Sequence, residues 1–423
     1  MDPRRAAWLA LAALVIVIAA LVVVFVPWRA AAIPGSSTVP DAARDFSGAE
    51  LSRSAALAAC IQPSTLLSLG VSLLIAASLA LTSVGARIVA AVASPLGGGW
   101  AWQVILGSLA LALIGRLATL PFSAYAETVL RKYGLSTRDW SLWGADVAKS
   151  FAIGVGLTTL VLLILYGTMR LAPRFWWAIA AGLIAALVVL GSFLYPVLIE
   201  PAFNRFTPMP ASQLRADLLD MAERDAVPVA DILVADASRR TTALNAYVSG
   251  FGSTRRIVVY DTLLESETDA VVRSVVAHEL GHAKFRDLLI GTAIGAMGAA
   301  AAAIAGYLLA GWAPLLRRAA APSLADPRSL ALVLFILAAA GLLLTPAQSL
   351  ISRQFESRAD IHALDLTRDP TTFVDMQRRL AIRNITDLEP NPIYYWVFFN
   401  HPSAVERIAV ARDWAYAHRV AIP

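Results

Sequence analysis

The chain has 423 residues, of which 58% are hydrophobic and only 15% are charged. Soluble domains carry about 25% charged residues, so this composition excludes an ordinary soluble protein and indicates an integral membrane protein. The net charge of +5 reflects lysines and arginines on the cytoplasmic side rather than a nucleic-acid partner. The single cysteine, Cys60, excludes a disulfide framework and cysteine-rich metal sites, which leaves histidines and carboxylates as metal ligands.

Seven apolar stretches are long enough to cross a bilayer, because about 20 helical residues span its hydrocarbon core. They lie at 6–28, 64–84, 102–120, 151–169, 175–199, 288–312 and 329–350. The first follows Arg4 and Arg5, so a cleaved signal peptide is an alternative, but its long apolar run favours a retained span. In the sixth, Gly291, Gly295 and Gly298 precede an alanine run, and this spacing predicts a close helix-packing face.

Two long polar segments, 200–287 and 351–423, are separated by the sixth and seventh spans and therefore lie on the same side of the membrane. We expect them to form the two parts of one domain, with five spans in 1–199 and two in 288–350. They carry most of the lysines and arginines, which favours the cytoplasmic side. The linker 30–45, with the turn sequence Pro34-Gly35-Ser36-Ser37, is predicted to be a loop on that side.

The sequence His278-Glu279-Leu280-Gly281-His282 matches the metalloprotease pattern H-E-x-x-H in a helix-compatible stretch. Residues four apart lie on one helix face, so both imidazoles can bind one cation. Glu279 can then act as a general base on a water at that cation. The five-residue pattern also arises by chance, so the interpretation needs a third ligand.

The second polar segment supplies two carboxylates with the same spacing, Glu356 and Asp360. Glu356 could complete a site of two histidines and one glutamate, and Asp360 could hold a ligand imidazole by its second ring nitrogen. The alternative is an exposed helix in which these carboxylates make weak surface ion pairs with Arg353 and Arg358.

Seven short sequences resemble, in order, those of the integral-membrane CAAX prenyl endopeptidases, which are zinc metalloproteases. They are 120–123, 200–208, 245–250, 256–264, HELGH at 278–282, the Glu356 and Asp360 pair, and 400–402. The resemblance covers roughly 121–407, while the first hundred residues match only in having two spans and a loop. It implies a membrane barrel of about seven α-helices around a chamber, with an α-rich zinc metalloprotease domain that contains a small β-sheet.

The resemblance also implies a ligand set. His278, His282 and Glu356 would bind one Zn²⁺ per chain, with Glu279 as the general base and Asp360 supporting the ligands. These roles rest on the family likeness as well as on the spacing of the residues.

The resemblance further implies that Asn245, Ala246 and Tyr247 begin a strand beside which the substrate binds as an added strand. The β-prone runs 247–248 and 257–260 flank Gly250-Phe251-Gly252-Ser253, and this arrangement predicts a hairpin.

His401 matches a histidine that faces the metal site in that family, and it would stabilise the oxyanion. The alternative for His401 is a neighbour of a helix cap. Arg407 would position Asp360 or His401, with a surface ion pair as its alternative.

The activity that we expect is zinc-dependent hydrolysis near the C-terminus of prenylated CAAX-type or other membrane-associated peptides. One alternative is a quality-control metalloprotease, which usually has about four spans. Another is a transporter or channel, in which an interior charge such as Arg116 would serve transport. We expect a multi-pass protein of a bacterial plasma membrane, or of an internal membrane if eukaryotic, with the protease domain in the cytoplasm. The oligomeric state stays open.

Overall fold

The computed structural model describes residues 2–30, 33, 38–250, 252, 255–310 and 312–422. The predicted turn at Pro34 to Ser37 lies outside the described residues. Within the described residues, the α-helices are α1 (Pro3–Phe25), α2 (Ala42–Asp45), α3 (Gly48–Ala80), α4 (Ser83–Ala93), α5 (Trp100–Lys132), α6 (Trp140–Leu171), α7 (Trp176–Leu194), α8 (Glu200–Phe203), α9 (Gln213–Arg224), α10 (Asp261–Ser266), α11 (Asp269–Lys284), α12 (Asp287–Ala310), α13 (Ala313–Arg318), α14 (Leu330–Thr367), α15 (Pro370–Asn384), α16 (Pro392–Phe398) and α17 (Ala404–His418).

Seven helical segments of the described chain are long and apolar enough to cross a membrane. They are α1, α3, α5, α6, Trp176–Phe203, Asp287–Leu309 and Pro327–Thr367. Each contains most of one predicted span, so the prediction of seven spans is confirmed. Their outer faces carry exposed apolar side chains such as Val23, Leu74 and Leu343, which contact lipid when the helices lie in a bilayer.

Several membrane helices continue beyond the hydrocarbon core. α14 has 38 residues and is therefore about 57 Å long at 1.5 Å per residue. It runs without a break from the seventh span through Glu356 and Asp360. Hydropathy detects only the lipid-facing part of such a helix, so the predicted end at residue 350 is too early for the helix itself.

The packing of α12 differs from the glycine face that the sequence predicts. A Cβ atom on Gly291, Gly295 or Gly298 would meet no heavy atom within 4 Å, so that prediction is wrong. α12 lies against α1 and α7. Its buried side chains recur every four residues at Ala296, Ala300, Ile304 and Leu308. Spacing identifies residues that share a face, but it does not say which face another helix covers.

The polar segments contain a small mixed sheet. Its strands are β1 (Phe206–Pro208), β2 (Asp231–Ala235), β3 (Ala246–Ser249) and β4 (Arg256–Tyr260). The order is β1-β2-β4-β3, with β2 parallel to β4 and the other two pairs antiparallel. The β3–β4 pairing agrees with the predicted hairpin, although Phe251 and Ser253 of its turn lie outside the described residues. β3 therefore forms one edge of the sheet.

One hydrophobic core joins the two polar segments. Before the sixth span it includes Ile232 of β2 and Val276 of α11, and after the seventh span Phe373 of α15 and Trp414 of α17. These side chains are almost fully buried. Burial of this apolar surface holds α11 and the protease end of α14 side by side, which positions the site described next.

Candidate active site

The three predicted metal ligands meet where α11 packs against α14. His278 and His282 lie one turn apart on α11, and their Nε2 atoms are 3.1 Å from each other. Glu356 of α14 places Oε2 at 3.3 Å from Nε2 of His278 and Oε1 at 3.4 Å from Nε2 of His282. One ligand atom from each residue lies within 4.8 Å of the others. Two imidazoles and one carboxylate can therefore reach a single point.

The surroundings of Glu356 fit a cation at that point. The residue is buried, and its Oε2 atom has no hydrogen-bond partner among the described residues. The nearest possible donor to Oε2 is Nε2 of His278 at 3.3 Å, and a divalent cation would satisfy this buried carboxylate oxygen better. Asp360 is 1% exposed, so the alternative of an exposed helix with surface ion pairs does not hold.

The close approach of α11 and α14 depends on Gly281, the glycine of the HELGH sequence. A Cβ atom at this position would lie 3.1 Å from Cα of Ala359 and 3.2 Å from Cδ2 of His362. A larger side chain would push the two helices apart. Gly281 therefore brings the histidines of one helix within reach of the glutamate on the other.

Each ligand imidazole is oriented by a carboxylate that contacts its Nδ1 atom, on the side of the ring away from the ligand cluster. Nδ1 of His278 lies 2.9 Å from Oδ1 of Asp360, and Nδ1 of His282 lies 2.8 Å from Oδ2 of Asp287. Both bonds leave Nε2 directed at the ligand cluster, as in metalloenzymes. Arg407 in turn donates from Nε to Oδ2 of Asp360 at 2.8 Å, so Arg407 lies where it can position Asp360.

Sequence reasoning missed Asp287. It follows His282 by five residues, which on a continuous helix would place it on a different face. The chain instead turns at Arg286, whose φ of 59° is left-handed, before α12 begins at Asp287. This turn directs the Asp287 carboxylate at His282, and Arg358 binds its other oxygen. The only sequence signal is an acidic residue in the first turn of a helix, which is common.

The carboxylates favour protonated imidazoles while no cation is bound. Burial lowers the pKa of His278 and of His282, but hydrogen bonds to carboxylates outweigh burial and raise both pKa values, that of His282 to about 10. Metal binding must displace these protons, so affinity for a cation falls as the pH falls. Burial also raises the pKa of Glu279, which makes its carboxylate a stronger base.

His401 faces the same cluster from the segment before α17. Its Nε2 atom is 3.3 Å from Oε1 of Glu356, and its Nδ1 atom is 2.8 Å from Oδ1 of Asn400. The side chain is 53% exposed, so it can contact a bound molecule. Ser403 and Glu406 form the capping box of α17, so His401 is not the cap itself.

Open space lies on both sides of Glu279 along the edge of β3. A cavity of about 580 Å³ contains Glu279 and His401 in its wall, together with Asn245 directly before β3. A smaller cavity is lined by Glu279 and by Val248 near the end of β3. The sheet edge therefore passes the proposed base, and the larger cavity has room for a peptide chain, while the smaller one, of about 50 Å³, does not.

The main-chain groups of Ala246 and Val248 point towards the free edge of β3. The N–H of Tyr260 donates to the carbonyl oxygen of Asn245 at 3.1 Å, so these two residues form a hydrogen-bonded pair. Hydrogen-bonded pairs alternate along antiparallel strands, and the register therefore turns Ala246 and Val248 away from β4. The ring of Tyr247 packs edge-to-face against Tyr260, so its side chain supports the sheet.

Seven membrane spans combined with this His-His-Glu cluster define a multi-pass membrane metallopeptidase. Residues 208–415 match peptidase family M48, and residues 36–205 match the family described as CAAX prenyl protease N-terminal, five membrane helices. The chain belongs to the CAAX prenyl protease 1 family of M48 peptidases. It is 30% identical over 305 residues to the CAAX prenyl protease 1 homolog of Arabidopsis thaliana, with 69% of each chain covered.

Other relatives agree with this membership. The chain is 29% identical over 313 residues to the uncharacterized metalloprotease YhfN of Bacillus subtilis, with 70% of each chain covered. The fold is similar to the crystal structure of S. mikatae Ste24p, with a TM-score of 0.75 at 19% identity, covering 97% of this chain and 99% of that one. The predicted family and the predicted fold, helices around a chamber with a metalloprotease domain, are confirmed.

The chain is a metalloendopeptidase, which rules out the transporter or channel alternative. Seven spans also differ from the four-span architecture expected of a quality-control protease. Peptide substrate and lipid bilayer are the partners that this family membership supports.

Proposed function

We propose that this protein is a zinc endopeptidase that cuts membrane-associated peptides near their C-terminus, with prenylated CAAX-type peptides as its substrates. The observation that carries the proposal is the convergence of His278, His282 and Glu356 beside a free sheet edge in a seven-span protein. Relatives named CAAX prenyl protease 1 support the substrate class.

In this proposal, His278, His282 and Glu356 hold one Zn²⁺ per chain. When bound, the cation polarises the scissile carbonyl and makes a water molecule more acidic. Glu279 accepts the proton of the attacking water and returns it to the departing amine. Burial raises the pKa of Glu279 and so favours its acceptance of the proton. Asp360 and Asp287 keep the two imidazoles oriented.

His401 stabilises the carbonyl oxygen as negative charge develops on it. Nδ1 of His401 donates to the amide oxygen of Asn400, so Nε2 carries a proton for the oxyanion when the imidazole is in its protonated form. That N–H then points into the cavity that also contains Glu279. A hydrogen-bond donor at this position stabilises the transition state more than the ground state, because the negative charge on the carbonyl oxygen is larger in the transition state.

The substrate main chain adds to the edge of β3. Ala246 and Val248 supply the free N–H and C=O groups, and Asn245 lies where the strand enters the larger cavity. Main-chain pairing tolerates many side chains. A lipid tail would concentrate such peptides at the membrane by about 0.8 kcal/mol per buried CH₂.

We also infer that the metalloprotease segments, 200–287 and 351–423, face the cytoplasm of a bacterial plasma-membrane protein, or of an internal-membrane protein if the source is eukaryotic. Most lysines and arginines lie in these segments, in agreement with the positive-inside tendency. The spans then occupy 1–199 and 288–350.

Mass spectrometry of reaction products tests the proposed substrate. One peptide would be supplied in farnesylated, geranylgeranylated and unlipidated forms to the full-length protein in liposomes. We expect cleavage at the same bond in all three, with the higher kcat/KM for the prenylated forms. Equal kcat/KM for all three would contradict the CAAX assignment and leave a general membrane endopeptidase.

The matched variant Glu279→Gln tests the mechanism separately. It should retain the metal, because it leaves the three ligands intact, but lose about 10³-fold in kcat. Metal analysis and single-turnover kinetics measure the two effects. Activity near that of the wild type would show that Glu279 is not the base.

A further inference from the structure

A second cavity lies between α3, α5, α6 and α14, inside the membrane-spanning segments. Its volume is about 510 Å³, and it shares no lining residue with the cavity at the metal ligands. Of the residues that the structure describes around it, Arg116 alone is charged. The other polar groups are hydroxyls, contributed by Ser72, Ser108, Thr119, Ser150 and Thr158. No part of the peptidase mechanism uses this cavity.

Arg116 has no carboxylate partner among the described residues. One guanidinium nitrogen donates to Oγ of Ser123 at 3.2 Å, while Nε is buried without any hydrogen-bond partner. By contrast, Arg240 is paired with Asp146 at 2.9 Å where α6 meets the metalloprotease domain. An arginine within membrane helices keeps its charge, so an unpaired one marks a binding site for an anion.

The charge of Arg116 and the leucines of the cavity lie at different depths, while the hydroxyl of Ser108, three residues beyond Leu111 on α5, shares the deeper end. α5 runs towards the metalloprotease domain, which it reaches at the Ser136–Thr241 bridge, so Arg116 and Thr119 occupy the domain-facing end. Leu111 is five residues further from that domain, about 7.5 Å along the helix. Leu79 and Leu334 line the same deeper wall. A charged end beside an apolar wall matches the shape of an amphiphile.

We propose that this cavity binds an anionic phospholipid from the leaflet nearer the metalloprotease domain. The phosphate lies against the guanidinium of Arg116, which offers parallel N–H donors to two phosphate oxygens. An acyl chain lies along Leu79, Leu111 and Leu334. Free inorganic phosphate shares the headgroup chemistry but makes none of the chain contacts.

Lipid retention by the full-length protein tests this site. Wild type and variants are reconstituted with phosphatidylcholine and phosphatidylglycerol, re-extracted in detergent and analysed by native mass spectrometry. Wild type should retain phosphatidylglycerol, Arg116→Gln should retain about tenfold less, and Arg116→Lys, which keeps the charge but loses the parallel donors, should retain an intermediate amount. The control Arg87→Gln on α4 should behave as wild type, since Arg87 does not line the cavity and, among the described residues, bonds only the main-chain oxygen of Ser83.

A cavity-filling variant keeps the test decisive if Arg116→Gln fails to fold. Gly115 lines the cavity, and a Cβ atom there meets nothing within 4 Å, so Gly115→Leu fills the space without a clash at Cβ. Gly115→Leu should lose the lipid while Arg116 remains. Unchanged retention in Gly115→Leu or in Arg116→Gln would overturn the proposal.

The source of the phosphate is tested by thermal unfolding of wild type in detergent. Phosphatidylglycerol should raise the unfolding temperature, and equimolar inorganic phosphate should not. An equal rise with phosphate alone would overturn the lipid assignment.

Discussion

Asp287 orients the imidazole of His282, and it should therefore affect the affinity for a metal ion. Asp287→Asn replaces a charged acceptor with a neutral amide, so it should weaken metal binding about 10- to 100-fold. Competition with a fluorescent chelator measures the affinity. The control Asp217→Asn alters a carboxylate that contacts Arg273 and Gln213 but no metal ligand, so it should leave the affinity unchanged. An unaltered affinity in Asp287→Asn would remove Asp287 from the set of residues that support the metal.

The role of His401 can be separated from metal binding. His401→Ala removes neither a ligand nor the cap of α17, so metal content and unfolding temperature should stay at wild-type values. If His401 donates to the developing oxyanion, kcat should fall about 10²-fold with KM nearly unchanged. Steady-state kinetics on one prenylated peptide gives both constants. A change confined to KM would assign His401 to substrate binding instead.

At the scale of elements, the edge of β3 supplies a direct test of strand addition. Val248→Pro removes an N–H that points away from β4, and proline is tolerated at such edge positions. Losing one hydrogen bond of about 1 kcal/mol should lower kcat/KM about fivefold while the metal stays bound. Val248→Ala keeps the N–H and is the matched control. Equal kcat/KM in both variants would place the peptide elsewhere.

The spacing of residues in the sequence predicted the residues of the site correctly, but it predicted helix packing poorly. The four-residue spacing in HELGH and in the Glu356–Asp360 pair follows from the period of one helix, which a sequence displays directly. The face of α12 that is packed depends on where α1 and α7 lie. The glycine pattern within α12 therefore predicted the wrong face. The full length of α14 could not be predicted from hydropathy either, because the end of this helix in the protease domain is polar.

At the scale of the whole molecule, one buried ion pair joins the membrane helices to the metalloprotease domain. Arg240 donates from Nε and from a terminal nitrogen to both oxygens of Asp146, at 2.9 and 3.1 Å. Asp146→Ala would leave the largely buried Arg240 without its counter-ion and should lower the free energy of unfolding by roughly 3 kcal/mol.

Unfolding in detergent with increasing denaturant measures this loss. The double variant Asp146→Leu with Arg240→Met removes both charges and should recover most of the stability, because the only other cation among the described residues that loses its carboxylate, Lys149, is 41% exposed and is solvated. A double variant as unstable as Asp146→Ala would show that something other than the lost ion pair causes the change.

The sequence by itself determined the membrane class, the seven spans and the two helical ligand pairs. Each of these follows from local composition or from a period within one helix, and the ordered motifs pointed to the family. The tertiary structure alone decided that Glu356 meets the two histidines, that Asp287 turns back onto His282 and that β3 is an edge strand. It also decided that Arg116 meets no carboxylate within the part of the chain that the structure describes. These features depend on contacts between segments far apart in the chain. Such contacts are set by helix packing, by strand order and by single backbone turns such as the one at Arg286, none of which leaves a periodic pattern in the sequence.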